Sequence, residues 1–256
     1  MQSTCDTTIG SIVAKNFKTA AVFKKLNIDF YFKGNLTVAE VCDSNKLPFK
    51  DVEEKLMESL RDPGRPGVDY DSWPITNLLS YIEDVLHRYV GEKIFQLQLW
   101  IDRCRKVQGE EYPHLAEVQQ MFALMSGELL VHLMMEEKVL FPAIRAMVAR
   151  KATAKQSWQS QELPDFQSLL QEHETIGGYL HRLSDLTNGY HPPKDAPGLY
   201  ELCCANLKEF EEDYLFHIHL ENNIMLPKVL RQMSVTATSQ DQKINNLAIH
   251  TTRQIV

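Results

Sequence analysis

Two copies of one short pattern, H-x-x-x-E, constrain this chain more than anything else in it: His132 with Glu136, and His217 with Glu221. Four residues is slightly more than one helical turn. On a helix each pair therefore aims an imidazole and a carboxylate at the same place. His87 and His173 extend the set to six. In a bundle whose helices run up, down, up and down, residues at one height lie equally far in sequence from the turn between their helices. The midpoint of His87 and His132 falls at 109–110, inside Gln108-Gly109-Glu110-Glu111-Tyr112-Pro113. That of His173 and His217 is Asp195, inside His191-Pro192-Pro193-Lys194-Asp195-Ala196-Pro197-Gly198. That of Glu136 and His173 falls at 154–155, in the polar stretch 151–162. All three read as loops, so all six residues can share one level. Four imidazoles and two carboxylates there suit a pair of iron ions bridged by the carboxylates.

Taken singly, these residues say little. An inward histidine is more often a satisfied core group than a ligand, and an i,i+4 polar pair is often a surface contact. Taken together they say more. Six such groups buried at one level without partners would be strongly destabilising, and a metal centre removes that penalty.

The remaining polar residues sort around this set. His219 is two residues from His217 and points to the other side of the helix. With His114, His181, His191 and His250 it reads as structural or solvated. Glu137 is rotated about 100° from Glu136, which makes Glu136 the better ligand. Glu172, next to His173, reads as solvated. Glu128, one turn before His132, leaves two readings open: a carboxylate that relays protons or guides cations, or one that hydrogen-bonds and orients His132. The five cysteines are an odd count without paired spacing, which fits free thiols in a reducing cytoplasm. Cys203 shares the face of His217 but lies ~21 Å along the axis, so core packing is its expected role. Cys5, Cys42 and Cys104 have no evident partner.

The pattern outside the six residues predicts an all-α chain in two parts. Residues 1–62 read as a small helical domain with short helices over 8–14, 19–26, 38–42 and 50–60. Thr37 is an N-cap there, with Glu40 as its capping-box partner. The Pro/Gly-rich stretch at 63–72 is a linker. Residues 73–232 carry four long helical patterns, over 75–107, 115–148, 166–186 and 199–230, with apolar residues at helical spacing. His87 falls near the edge of its stripe, in line with Ser80 and Ile94. Pro142 is expected to bend the second pattern. Residues 233–256 read as a flexible polar tail. The two H-x-x-x-E helices suggest a weak internal duplication.

Composition excludes several classes of function. A net charge of −7 argues against nucleic acid or an anionic membrane as the main partner. No apolar run approaches the ~18 residues of a membrane span, and the N-terminus does not read as a secretory signal. There is no P-loop, dinucleotide fingerprint, Cys-x-x-Cys pair or nucleophile elbow.

The segments His132-Leu-Met-Met-Glu136-Glu-Lys-Val-Leu-Phe-Pro142 and His217-Ile-His-Leu-Glu221-Asn-Asn-Ile resemble the hemerythrin-like domain of the "repair of iron centres" proteins. The stretch from Ile9-Gly-Ser-Ile-Val-Ala14 through Ile28-Asp29-Phe30 resembles the small domain that precedes it there. The resemblance reaches to about Arg231. It implies an up-down-up-down four-helix bundle preceded by a small helical domain, and a non-haem di-iron protein that restores iron–sulfur clusters damaged by nitric oxide or oxidants. The implied cofactor is two iron ions (Fe2+/Fe3+) with an oxo or hydroxo bridge, on the six residues already derived. The implied partners are damaged iron–sulfur proteins, with nitric oxide or dioxygen as small ligands, and the resemblance also suggests a homodimer. One departure stands out: where the family reads Asp-x-Cys-Cys-Gly-Gly, this chain reads Asp29-Phe30-Tyr31-Phe32-Lys33-Gly34. Aromatic residues replace both thiols, which removes any role of that pair in electron delivery or iron transfer and leaves Tyr31 and Phe32 to pack the small domain against the bundle or against another subunit; Cys42 is a poor substitute by position.

The leading expectation is a cytoplasmic stress-repair protein that donates iron, or binds and reduces nitric oxide. A gas-binding or redox-sensing hemerythrin-like module without repair activity is the alternative. A structural bundle, or one that binds zinc, is the third reading.

Overall fold

The structure, a computed structural model, describes residues 4–61, 68–152 and 166–234. Their regular structure is helical, with a single isolated bridge between Thr8 and Thr37. The described residues form two compact units, one made of residues 4–61, 68–78, 146–152 and 218–234, the other of 79–145 and 166–217. None of the described helices is long and apolar enough to cross a membrane. Residues 63–67 of the expected linker and 235–256 of the expected tail lie outside the described residues, while Tyr70–Ser72 of the linker forms a short 3-10 turn.

In the first unit, α1 (Ile9–Lys15), α2 (Ala20–Lys25), α3 (Val38–Ser44) and α4 (Phe49–Arg61) match the four short helices expected. Local chemistry starts them. Thr8 caps α1 by accepting from the Ser11 N–H. Thr37 and Glu40 form the expected capping box, with each side chain accepting from the other residue's backbone N–H at 3.2 and 2.8 Å. Ile9, Val13, Phe23, Phe30, Val41 and Leu56 fill the core between them. Later parts of the chain belong to the same unit. Lys228 and Arg231 of α11 (Leu226–Ser234) reach Asp71, and α1 packs on residues 221–225.

The second unit carries most of the bundle. Its helices include α6 (Arg88–Gln108), α7 (Leu115–Met135), the first residues of α8 (Phe141–Ala152), α9 (Phe166–Leu186) and α10 (Gly198–Leu220) as far as His217. α7 packs against both α6 and α9. The stripes interlock through Ile94, Leu97, Phe122, Leu129, Leu180 and Phe210. Two of the three expected turns lie where the midpoints put them, between α6 and α7 and between α9 and α10. The third, at 154–155, lies outside the described residues.

Among the described residues, three turns are π-helical. Ile82–His87 joins α5 (Ile75–Tyr81) to α6, Glu136–Leu140 joins α7 to α8, and Glu221–Met225 joins α10 to α11, each as a π-helical turn. In the last two the defining bond spans five residues: Phe141 N–H donates to Glu136 O, and Leu226 N–H to Glu221 O. Pro142 and Pro227 come next in the chain. A helical proline lacks an N–H and drives its ring into the carbonyl four residues back. A wider turn immediately upstream moves that carbonyl aside, so the disturbance expected at Pro142 takes the form of a π turn. The first turn has no proline. Its effect is on register: the buried positions run Leu78, Leu79, Ile82, His87, Val90, Ile94, and the step of five at Ile82 carries His87 from the edge of the stripe into it.

Candidate metal centre

The π turns set the site. His87 ends the first, Glu136 opens the second and Glu221 opens the third. His132 and His217 each lie one turn before a carboxylate on the same helix, and His173 lies two turns into α9. All six are buried, with Glu136 at 2% exposure and His173, His217 and Glu221 at 0%. Two sets converge in the second unit. The ligand atoms of His87, Glu136 and His217 lie within 4.8 Å of one another, and so do those of His132, Glu136 and His173. Glu136 belongs to both. Glu221 follows His217 by one turn of an unbroken helix, which keeps its carboxylate on the His217 face.

Hydrogen bonding gives the sets their chemistry. His87 Nδ1 donates to Glu137 Oε1 at 3.0 Å, and His132 Nδ1 donates to Glu172 Oε2 at 2.8 Å. In a neutral imidazole the other nitrogen is then a lone-pair donor. His87 Nε2 lies 3.4 Å and His132 Nε2 3.5 Å from the same oxygen, Glu136 Oε2. His173 Nε2 lies 3.0 Å from His132 Nε2. Neither oxygen of Glu136 accepts a hydrogen bond. Lone pairs that converge on a buried, undonated carboxylate fit a cation among them, and imidazole with carboxylate is a donor set that iron accepts.

The outer partners differ in part from expectation. Glu172, read as solvated, is half-exposed yet holds His132, because the residue before an inward histidine on α9 flanks the same groove. Glu128 does not orient His132. It is exposed and accepts from the Tyr179 hydroxyl at 2.8 Å. Glu128 and Glu172 instead flank a cavity of about 400 Å³ that reaches His132 between Val131, Met135 and Ile176. Sequence reasoning missed the role of Glu137, which its place beside Glu136 concealed. Tyr214, edge-on to His217 at 5.6 Å, is a further wall of the site.

The remaining histidines and cysteines stand apart. His219 is buried against Phe17 and Phe30 in the first unit, and burial pulls its pKa down to about 4, so it is neutral. His114 meets the Tyr200 hydroxyl at 2.5 Å. Cys203 is core, as expected, and no disulfide joins any of the five cysteines.

Comparison with known proteins agrees with this geometry. Residues 79–229 match the hemerythrin HHE cation binding domain, and residues 5–60 match the ScdA_N domain of unknown function. The iron-sulfur cluster repair protein ScdA of Staphylococcus haemolyticus is 26% identical over 226 residues, covering 88% of this chain and 98% of that protein. The iron-sulfur cluster repair protein YtfE of Musicola paradisiaca is 27% identical over 225 residues, covering 87% and 96%. YtfE of Pectobacterium atrosepticum is 27% identical over 226 residues, covering 88% and 97%. With more than half of its length matched by the HHE cation binding domain, and buried histidines and carboxylates converging inside that stretch, the chain belongs to the hemerythrin family.

Proposed function

We propose that this chain is an iron–sulfur cluster repair protein whose two iron ions are held by His87, His132, His173, His217, Glu136 and Glu221. The observation that carries the reading is Glu136: a buried carboxylate with no hydrogen-bond donor, faced by two imidazole nitrogens whose protons are engaged elsewhere. Glu136 and Glu221 would serve both ions, with His87 and His217 holding one and His132 and His173 the other. Iron bound there supplies ferrous/ferric redox change and a place for nitric oxide or dioxygen. The chain's own residues hold and orient the donors. Glu137 and Glu172 fix the His87 and His132 rings. Glu128 and Glu172 give the cavity beside His132 an acidic flank that favours passage of a cation. Relatives over nearly the whole chain bear the name of iron-sulfur cluster repair proteins, which favours repair over gas storage. Free thiols and the acidic balance fit the cytoplasm, and damaged iron–sulfur proteins are the partners.

The test is iron content and absorption of aerobically purified protein, before and after nitric oxide, together with recovery of activity in a nitric-oxide-damaged iron–sulfur dehydratase. About two irons per chain, loss of much of that iron in His132→Leu and Glu136→Leu, and recovery that depends on the loaded protein are expected. Full iron in both variants would overturn the ligand assignment.

A further inference from the structure

The third π turn is gripped from outside the metal centre. Asp29 folds the chain after α2 into a tight turn, its Oδ1 accepting from the Tyr31 and Phe32 N–H groups at 3.0 and 3.1 Å. That turn presents the carbonyls of Phe30 and Tyr31 to Glu221–Met225. Asn223 Nδ2 donates to Phe30 O at 3.0 Å and to Tyr31 O at 3.4 Å, and Asn222 Nδ2 donates to Tyr31 O at 3.3 Å. The same Asn223 nitrogen lies 3.0 Å from His219 Nδ1, which accepts because an amide nitrogen can only donate. The other face of the Asn223 amide needs bare backbone. A Cβ on Gly34 would stand 1.8 Å from Asn223 Oδ1, and one on Gly10 2.5 Å from it. Gly10 N–H also donates to Gly34 O at 2.8 Å, which locks α1 to the same loop. Phe30, wholly buried, sets the edge of its ring on His219 at 5.6 Å. Every residue from His217 to Glu221 is buried, so this stretch of helix is covered on all sides.

We infer that Asn223 is a positioning residue: through it the small helical domain clamps the π turn that begins at Glu221 and so fixes where the Glu221 carboxylate sits. This rests on the reading of Glu221 as a ligand. The clamp falls on Asp29-Phe30-Tyr31-Phe32-Lys33-Gly34, the stretch that departs from the pattern of the family the sequence resembles. Here the side chains of Tyr31 and Phe32 have no thiol chemistry, and the backbone carbonyls at 30 and 31 serve as the grip. A π turn departs from the regular i→i−4 bonding of its helix, so its geometry depends on what holds it, and the clamp supplies that hold.

The test uses the full chain, iron-free and iron-loaded, with Asn223→Asp. That change keeps the shape of the side chain and turns two donated bonds into repulsion between a carboxylate and two carbonyls. Gly34→Ala strikes the same amide from the small domain, and Asn222→Ala removes one bond as a mild variant. Amide hydrogen exchange in the iron-free protein is read at 28–34 and 221–226. Both segments are expected to exchange roughly tenfold to a hundredfold faster in Asn223→Asp and Gly34→Ala, and less so in Asn222→Ala. In the loaded protein the absorption bands shift, and iron passes to a chelator at least tenfold faster. Faster exchange at 28–34 with 221–226 unchanged would mean a docked domain that positions nothing, and would overturn the proposal. So would faster exchange in both with an unaltered iron spectrum. Glu221→Gln separates the two readings. If it keeps both irons and the parent spectrum, the ligand assignment fails and the positioning role falls with it. If it loses iron while Asn223→Asp does not, the assignment stands and the positioning role alone is refuted.

Discussion

Replacing Glu136 by methionine should move stability in opposite directions according to whether metal is bound. The carboxylate is 2% exposed and accepts no hydrogen bond from the protein. Its nearest electrostatic partners are His87 Nε2 and His132 Nε2 at 3.4 and 3.5 Å. Both of those rings already give a proton to Glu137 or Glu172. In metal-free protein Glu136 is thus a buried polar group with poor compensation. Replacing such a group with an apolar one of similar length is commonly neutral or stabilising by about 1–4 kcal/mol. Methionine matches the reach of glutamate and tolerates irregular packing. A gain of about 2 kcal/mol, at roughly 2–4 °C per kcal/mol, raises the metal-free Tm by about 4–8 °C. With iron the sign reverses. Ligand at a hundredfold excess over its Kd stabilises the native state by about 2.7 kcal/mol per site, and Glu136 belongs to both converging sets. The variant therefore forgoes that stabilisation, and the parent becomes the more stable of the two.

The assay is paired urea and thermal unfolding, followed by far-UV circular dichroism, of chelator-treated and iron-loaded samples. A metal-free Glu136→Met that unfolds more easily than the parent by about 1 kcal/mol or more, against the expected gain, would refute the reasoning. Glu136 would then be a satisfied structural partner. Equal iron-induced stabilisation of both proteins would refute it from the other side.

The other predictions concern the support of the site and the core. Glu137→Ala and Glu172→Ala should each weaken metal binding by about 10-fold or more in chelator competition, because each releases a ring that the carboxylate holds; unchanged affinity in both would remove the orienting role. An alkylating reagent should label native protein at Cys5 well before Cys42, Cys104, Cys203 and Cys204, which are buried. Burial pushes the Cys204 thiol up to about 12, so it lacks the reactive thiolate. Mass spectrometry of timed samples decides the point, and early labelling of the buried four would count against the packing described. Phe122→Ala, which removes a ring in edge contact with Phe210 at 6.0 Å, should lower unfolding free energy by about 3–5 kcal/mol in denaturant titration.

Much of this was readable from residue type and spacing. The H-x-x-x-E pairs work because four residues on a helix is a fixed geometry, and the midpoint rule works because helices of a bundle share a rise per residue. The helices of the small domain were legible from caps, and Thr37 with Glu40 is a pair whose chemistry is wholly local. Partners from different helices were harder. Nothing in the sequence near His132 marks Glu172, forty residues away, as the group that holds its ring. Exposure misleads there as well, since the half-exposed Glu172 orients a buried histidine. The grip of Asn222 and Asn223 on Phe30 and Tyr31 spans more than 190 residues of sequence, and backbone carbonyls leave no trace in side-chain pattern.

The π turns are a different kind of omission, because two of them did leave a signal. A proline stands six residues after each glutamate of the H-x-x-x-E pairs, Pro142 after Glu136 and Pro227 after Glu221. Read alone, Pro142 suggests a bend. Read twice at the same offset, it marks a widened turn that begins at the glutamate. The first turn, Ile82–His87, has no proline and shows itself only as a slip of one position in the apolar stripe, which is why His87 looked marginal. Proline therefore does not explain all three. What they share is position: each begins or ends on one of the six residues proposed as ligands. An α-helix of unbroken register would leave His87 on the edge of its stripe, out of line with the other donors. On the proposed ligand assignment, the regular hydrogen bonding lost at Ile82–His87 is the local cost of setting His87 within the buried stripe of its helix.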